Sequence, residues 1–192
     1  MKKLAIILVV LAVLFFWVKS SYNGLVEKDE VVKKSWAEVQ NQYQRRMDLT
    51  NNLVATVKGA ANFEQKTLTD VIEARAKATQ MVVKADDLTP EKMKDFQASQ
   101  GQLTQALGRL MMVTENYPQL KANQNFLDLQ AQIEGTENRT TVARKDYNDA
   151  VQIFNVSARS FPTNIFANIF GMTAKTPFEA DAAAQKAPQV QF

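Results

Sequence analysis

The 192-residue chain contains no cysteine and no histidine. Without cysteine there is no disulfide, thiol nucleophile, Fe–S cluster or lipidated-cysteine anchor. Without histidine there is no His-based triad or imidazole general base, and the common zinc sites, which draw on both residue types, are excluded. The missing cysteine does not choose a redox compartment, because a thiol-free chain suits either side of a membrane. Glycine and proline are scarce, 6 and 5 residues. Only Pro90 and Pro118 fall between residues 25 and 161, so long stretches carry nothing that would break a helix. Hydrophobic residues are 46% of the chain and charged residues 22%, which allows one domain-sized core and argues against a disordered chain.

A basic body is missing too. The net charge is +3, from 23 Lys and Arg against 20 Asp and Glu. Lys2, Lys3 and Lys19 lie in the first nineteen residues, where there is no acid. With those three set aside, residues 20–192 carry 20 basic and 20 acidic groups and are neutral. A nucleic-acid binder shows a basic face or stripe. Here the adjacent basic pairs of the body, Lys33-Lys34, Arg45-Arg46 and Arg144-Lys145, each sit among acids, so no nucleic-acid partner is expected.

What the sequence does have is one long apolar run. Leu4 to Val18 is fifteen residues without a charge, preceded by Lys2 and Lys3 and followed by Lys19. Fifteen helical residues rise about 22 Å, less than the roughly 30 Å of a hydrocarbon core. Snorkelling lysines and helical extension through Ser20, Ser21 and Tyr22 close most of the gap. Trp17 and Tyr22 suit an interfacial belt. The alternative is a cleaved secretory signal, but the bulky Phe15-Phe16-Trp17 stands where small residues should lead to a cut, and no Ala-x-Ala follows. The reading is an uncleaved signal anchor over residues 1–21, held in the bilayer by residues 4–18. Lysines flank the run on both sides, so the positive-inside count does not settle orientation. A short basic N-terminus usually stays in the cytoplasm, which puts the body outside it, on a bacterial inner membrane.

The body reads as all-α: an elongated antiparallel four-helix bundle over residues 22–172, then a flexible tail from 173 to 192. The first helix, about 25–57, carries the stripe Val32, Trp36, Val39, Tyr43, Met47, Leu53/Val54 and Val57. A second runs from about Phe63 to Lys84. Thr89-Pro90-Glu91 opens a third with an N-cap and a proline at N1, running to about Asn116. In the last, Phe126, Leu129, Ile133, Thr136, Thr140, Ala143, Tyr147, Ala150, Phe154, Ala158 and Phe161 keep a 3-4 rhythm for five heptads, the mark of a left-handed bundle seam. The short pair covers only the end of the long pair remote from the anchor, so the membrane-near half should be a thinner two-helix stalk.

Two groups of residues invite a role. Arg45, Arg46 and Asp48 on the first helix and Glu134, Glu137 and Arg139 on the last should come level and pair as a polar layer that sets register. No nucleophile–base pair accompanies them. Glu134 and Glu137 resemble half of a carboxylate metal site but lack the histidine such sites use. No cofactor or metal is therefore expected, and no catalytic residue is assigned. Tyr147-Asn148 and Asn51-Asn52 are compatible with buried amide bonding. Phe161, Ile165, Phe166, Ile169 and Phe170 form an apolar patch that the topology returns toward the membrane. It can cap the stalk, lie on the bilayer or seat a partner.

The linear order of short motifs carries a resemblance that runs from Tyr22-Asn-Gly-Leu-Val26 to Phe178-Glu179. Arg45-Arg-Met-Asp-Leu-Thr-Asn-Asn-Leu-Val54, Thr56-Val-Lys-Gly59, Glu73-Ala-Arg75, Glu115-Asn-Tyr-Pro-Gln-Leu-Lys-Ala122, Phe126-Leu-Asp-Leu-Gln130, Glu134-Gly-Thr-Glu-Asn-Arg139, Ala143-Arg144, Tyr147-Asn148 and Phe161-Pro162 together resemble the LemA family of bacterial membrane-anchored proteins. The family typically has Ile-Pro-Asn where this chain has Thr50-Asn51-Asn52, and losing that proline should straighten the first helix. The resemblance implies a single N-terminal membrane helix and an elongated helical bundle, and no enzymatic site. Two function classes follow: a membrane-tethered interaction or scaffold protein of the cell envelope, working with other envelope proteins, or a ligand-responsive helical sensor.

Overall fold

The computed structural model of the chain describes residues 2–59 and 64–179, and among them there are helices, turns and extended connections but no strand. Six α-helices follow in order among the described residues: α1 Lys2–Lys58, α2 Gln65–Gln80, α3 Pro90–Thr114, α4 Pro118–Lys121, α5 Gln124–Arg159 and α6 Thr163–Ile169. The apolar run and the first body helix are one element. α1 has 57 residues, about 85 Å of unbroken helix, and it passes through Thr50-Asn51-Asn52 without interruption. Asn51 and Asn52 are both exposed, which corrects the expectation that they bond inside the core.

α1 changes character along its length. Leu4 to Trp17 are exposed on every side, and Leu25 is the first buried residue. From there the stripe Val32, Trp36, Val39, Tyr43, Met47, Leu53, Val54 and Val57 is buried at the heptad spacing. It packs chiefly on α5, whose Ile133, Thr136, Thr140, Ala143, Tyr147, Ala150, Phe154 and Ala158 are buried in turn. The two run antiparallel: Arg46 meets Glu137 and, ten residues nearer the anchor, Trp36 meets Tyr147. α2 packs on α3 and on α1, where Arg75 Nε donates to the Met47 carbonyl at 3.0 Å. Phe161, at the end of the predicted seam, is 80% exposed because α5 stops at Arg159 and leaves it beyond the helix.

Caps fix several ends. Thr89 accepts from the Lys92 amide at 3.3 Å with Pro90 at the first helical position, as the sequence predicts. Asn123 accepts from the Phe126 amide at 3.2 Å and opens α5 after the short α4. α2 ends at Gln80 instead of near Lys84. The reason is tertiary: the Val83 carbonyl leaves the helix to accept from Trp36 Nε1 at 2.8 Å and Gln40 Nε2 at 3.0 Å.

The core forms two clusters. The distal one gathers Met47 to Val57 of α1, the buried face of α2, Leu103 to Leu110 of α3, and Phe126 and Ile133. The proximal one gathers Leu25 to Tyr43 with Tyr147 to Ala158, and takes in Val83, Met93, Phe96, Ala167 and Phe178. The half nearer the apolar run is therefore no bare two-helix stalk. The start of α3 and the C-terminal segment both cover it.

Leu53 is 0% exposed in the distal cluster, whereas Val142 is 58% exposed on the outer side of α5. Leu53→Ala should cost about 2–5 kcal/mol through lost burial and a residual cavity. Val142→Ala should stay within about 0.5 kcal/mol. Urea unfolding followed by circular dichroism checks the difference.

Candidate interaction sites: a polar layer, an apolar patch and a bound strap

The polar layer lies between the two apolar clusters. Arg46 is only 3% exposed, and its guanidinium lies 3.2 Å from Glu137 and donates to Thr104 Oγ1 at 2.8 Å. Thr50, Gln100, Thr136 and Thr140 are buried around it. Thr50, Thr136 and Thr140 turn their hydroxyls back to the carbonyls four residues earlier, at 2.7–2.9 Å, which satisfies them without a cross-helix partner. Of the six charged residues expected here, the structure brings Arg46 and Glu137 together. Arg45 is exposed, Asp48 takes a hydrogen bond from Gln44, and Glu134 takes one from Gln130. Arg139 folds over Gly135 to donate to Thr136 Oγ1 at 3.1 Å. Glu134 and Glu137 thus turn to different partners, and among the described residues no group of three or more carboxylates gathers as a metal site.

The apolar patch divides. Ala167 is buried, Phe166 stacks edge-on against Trp17 at 5.2 Å, and Phe170 does so against Tyr22 at 4.8 Å. These contacts set α6 beside the end of the apolar run. Phe161, Ile165 and Ile169 stay on the outside, 80%, 48% and 70% exposed. Gly171, with φ +68°, then turns the chain away from α6.

The segment after that turn was expected to fray from Thr173 onward. Residues 173–179 instead form an extended strap along α5, and residues 180–192 of the expected tail lie outside the described residues. Asn155 accepts at Oδ1 from the Lys175 amide at 2.7 Å and donates Nδ2 to the Lys175 carbonyl at 2.8 Å. Asn148, two turns earlier, repeats this pairing with Phe178 at 2.8 and 3.1 Å. Tyr147 donates to the Thr176 carbonyl at 2.8 Å, and Gln97 to the Glu179 carbonyl at 3.1 Å. Phe178 drops into a box of Trp36, Phe96 and Tyr147 with centroids at 5.5–6.4 Å, and the Arg144 guanidinium lies 4.7 Å over its ring. Lys175 pairs with Asp29 of α1 at 2.7 Å. Burial pushes the Asp29 carboxyl up, but hydrogen bonds and charge from Lys175 and Lys33 outweigh it and hold it below the usual aspartate range. Burial pushes the Tyr147 phenol up, so it stays a protonated donor to the strap.

Sequence reasoning missed the strap because composition hides it. Phe178 is a single aromatic among Ala, Gln and Pro. The available signal was Asn148 and Asn155, seven apart on one face of the seam helix.

The sequence model of the LemA family matches residues 35–192, and the chain belongs to this family. It is 24% identical over 170 residues to protein LemA of Metamycoplasma hominis, covering 88% of this chain and 74% of that one. It is also 24% identical over 181 residues to the magnetosome proteins MamQ 1 and MamQ 2 of Paramagnetospirillum magneticum, covering 84% of this chain and 66% of each of those. None of these names states a reaction.

Two outcomes follow. A double-mutant cycle of Arg46→Met and Glu137→Gln should return a coupling of about 1 kcal/mol, since Glu137 is half exposed. The Asp29–Lys175 pair should stabilise the strap fully above pH about 4 and progressively less as pH falls through the depressed carboxyl value. Protection factors of the Lys175 and Phe178 amides at pH 6 and pH 3 measure this, and Asp29→Asn should remove most of the dependence.

Proposed function

We propose that this chain is a membrane-anchored, non-enzymatic interaction or scaffold protein of the bacterial cell envelope. Residues 4–18 cross the inner membrane once. The body is an elongated, coiled-coil-like antiparallel four-helix bundle on the extracytoplasmic side, where it meets other envelope proteins. The observation that carries this reading is the exposure of every residue from Leu4 to Trp17 on a helix that continues directly into the packed body. Such a continuous apolar surface on a helix is satisfied by lipid and not by water. The outward face of α6 supports it: Ile165 and Ile169 are exposed on the helix whose Phe166 and Phe170 stack on Trp17 and Tyr22, where a bilayer interface would fall. Membership of a family whose named relatives state no reaction favours interaction over catalysis.

The second reading, a ligand-responsive sensor, is favoured by a groove of about 550 Å³ along α5 beside the strap, lined by Asn148, Val151, Asn155 and Arg159 among others. The groove is open, which suits a transient ligand less than an enclosed pocket would.

The full-length chain should stay in the membrane pellet after an alkaline carbonate wash, and a variant lacking residues 1–21 should be soluble and helical by circular dichroism. A mature N-terminus beginning after Ser20 would overturn the anchor. A protease added outside intact spheroplasts should digest the body; full protection would reverse the orientation. A pull-down from solubilised membranes separates the two readings: a stoichiometric envelope protein supports the scaffold, a co-purified small molecule the sensor.

A further inference from the structure

The strap is bound as a ligand is bound. Six side-chain hydrogen bonds reach it from α3 and α5, and all six end on its main-chain N–H and C=O groups. A sheet edge reads an added strand in the same way: backbone pairing supplies affinity, and pockets for alternate side chains supply selectivity. Here the pockets are an acidic one, Asp29 for Lys175, and an aromatic one, Trp36, Phe96 and Tyr147 for Phe178, three residues apart on the strap. None of these contacts depends on the strap being part of the same chain. Residues 171–174 connect it to α6, whose C-cap is Phe170, through the left-handed turn at Gly171. Drawn out straight, four residues reach about 13 Å, more than the 10–12 Å diameter of one helix.

We propose that the groove between α1, α3 and α5 is a peptide-recognition site for a Lys-x-x-Phe segment, and that its intermolecular occupant is residues 175–178 of a second copy of this chain. Two copies standing face to face exchange straps, each Phe178 entering the other's aromatic box. The second copy is the occupant because its Lys175 and Phe178 already match both pockets in charge, shape and spacing. The proposal rests on the anchored reading above: anchors in one bilayer hold every strap level with every groove and raise the effective concentration of each for the other.

The absence of cysteine from the chain makes the test clean. Gln152 and Pro177 face one groove and are both exposed. Full-length Gln152→Cys and Pro177→Cys chains are mixed in phospholipid vesicles and oxidised mildly. A chain carrying both substitutions serves as the within-chain reference, and Val82→Cys, 75% exposed and outside the groove, replaces Gln152→Cys in the collision control. The expected result is a heterodimer, joined by a disulfide between the two substituted positions, at least about tenfold above the collision control, the gain a shared groove gives over random encounter. Adding Phe178→Ala to the Pro177→Cys chain should return it to the control level, as should Asn155→Ala in the partner chain, with helicity checked for each. A within-chain disulfide without a heterodimer overturns exchange. So does a heterodimer unaffected by both added substitutions, which is mere collision. No within-chain disulfide overturns the seat of the strap itself. Chains that fail to float with the vesicles overturn the anchored reading, and the shared-height argument falls with it; chains that float without forming the heterodimer leave anchoring intact and sink exchange alone.

Discussion

The indole of Trp36 ties together five parts of the chain that are far apart in sequence. It is 1% exposed, and its ring meets Phe96 of α3, Tyr147 of α5 and Phe178 of the strap at 5.3–5.8 Å. Its N–H would be costly to bury unpaired, and the Val83 carbonyl satisfies it. That one hydrogen bond fixes where the α2–α3 connection passes. The connection fixes where α3 begins, and the start of α3 supplies Met93 and Phe96 to the proximal cluster. Aromatic pairs of this kind add about 0.5–1.5 kcal/mol each beyond the area they bury. The proximal core is therefore an assembly around one ring and not a simple two-helix seam.

The layer at Arg46 divides this aromatic core from the aliphatic core beyond it. An arginine so deeply placed is tolerable because Glu137 and Thr104 meet it. Sliding α1 by one turn would part the buried guanidinium from both Glu137 and Thr104, and breaking a buried pair of this kind costs several kcal/mol. The layer thus selects one register from the several that a regular heptad seam would accept.

Much of this was legible in the sequence. The 3-4 rhythm from Phe126 to Ala158 and the stripe from Val32 to Val57 mark buried faces directly, because helical period converts spacing into side. Thr89-Pro90 carries its own cap chemistry. The layer was legible as a pairing of opposite charges but not residue by residue. A helix turns 100° per position, so Arg45 and Arg46 differ completely in burial, and sequence alone does not choose between them. The strap was illegible because its partners lie 20–82 residues away and its own composition has no period. The early end of α2 was illegible for the same reason: Trp36, 47 residues upstream, decides it.

The absence of any break in α1 has a mechanical consequence. The helix that bears the apolar run also forms the core, so in the anchored arrangement proposed above the body has no swivel at the membrane surface. From Leu25, where burial begins, to Lys58 at the far end is about 50 Å of the same rod. Spanning helices commonly lean about 20° from the bilayer normal. With a stiff rod, that lean carries the far end sideways by about 17 Å, and a change in bilayer thickness that alters the lean sweeps it by a fraction of that distance. Anchored in this way, the molecule would act as a lever with its fulcrum at Trp17 and Tyr22. In that arrangement small adjustments in the lipid become large displacements at the far end of α1, near Lys58.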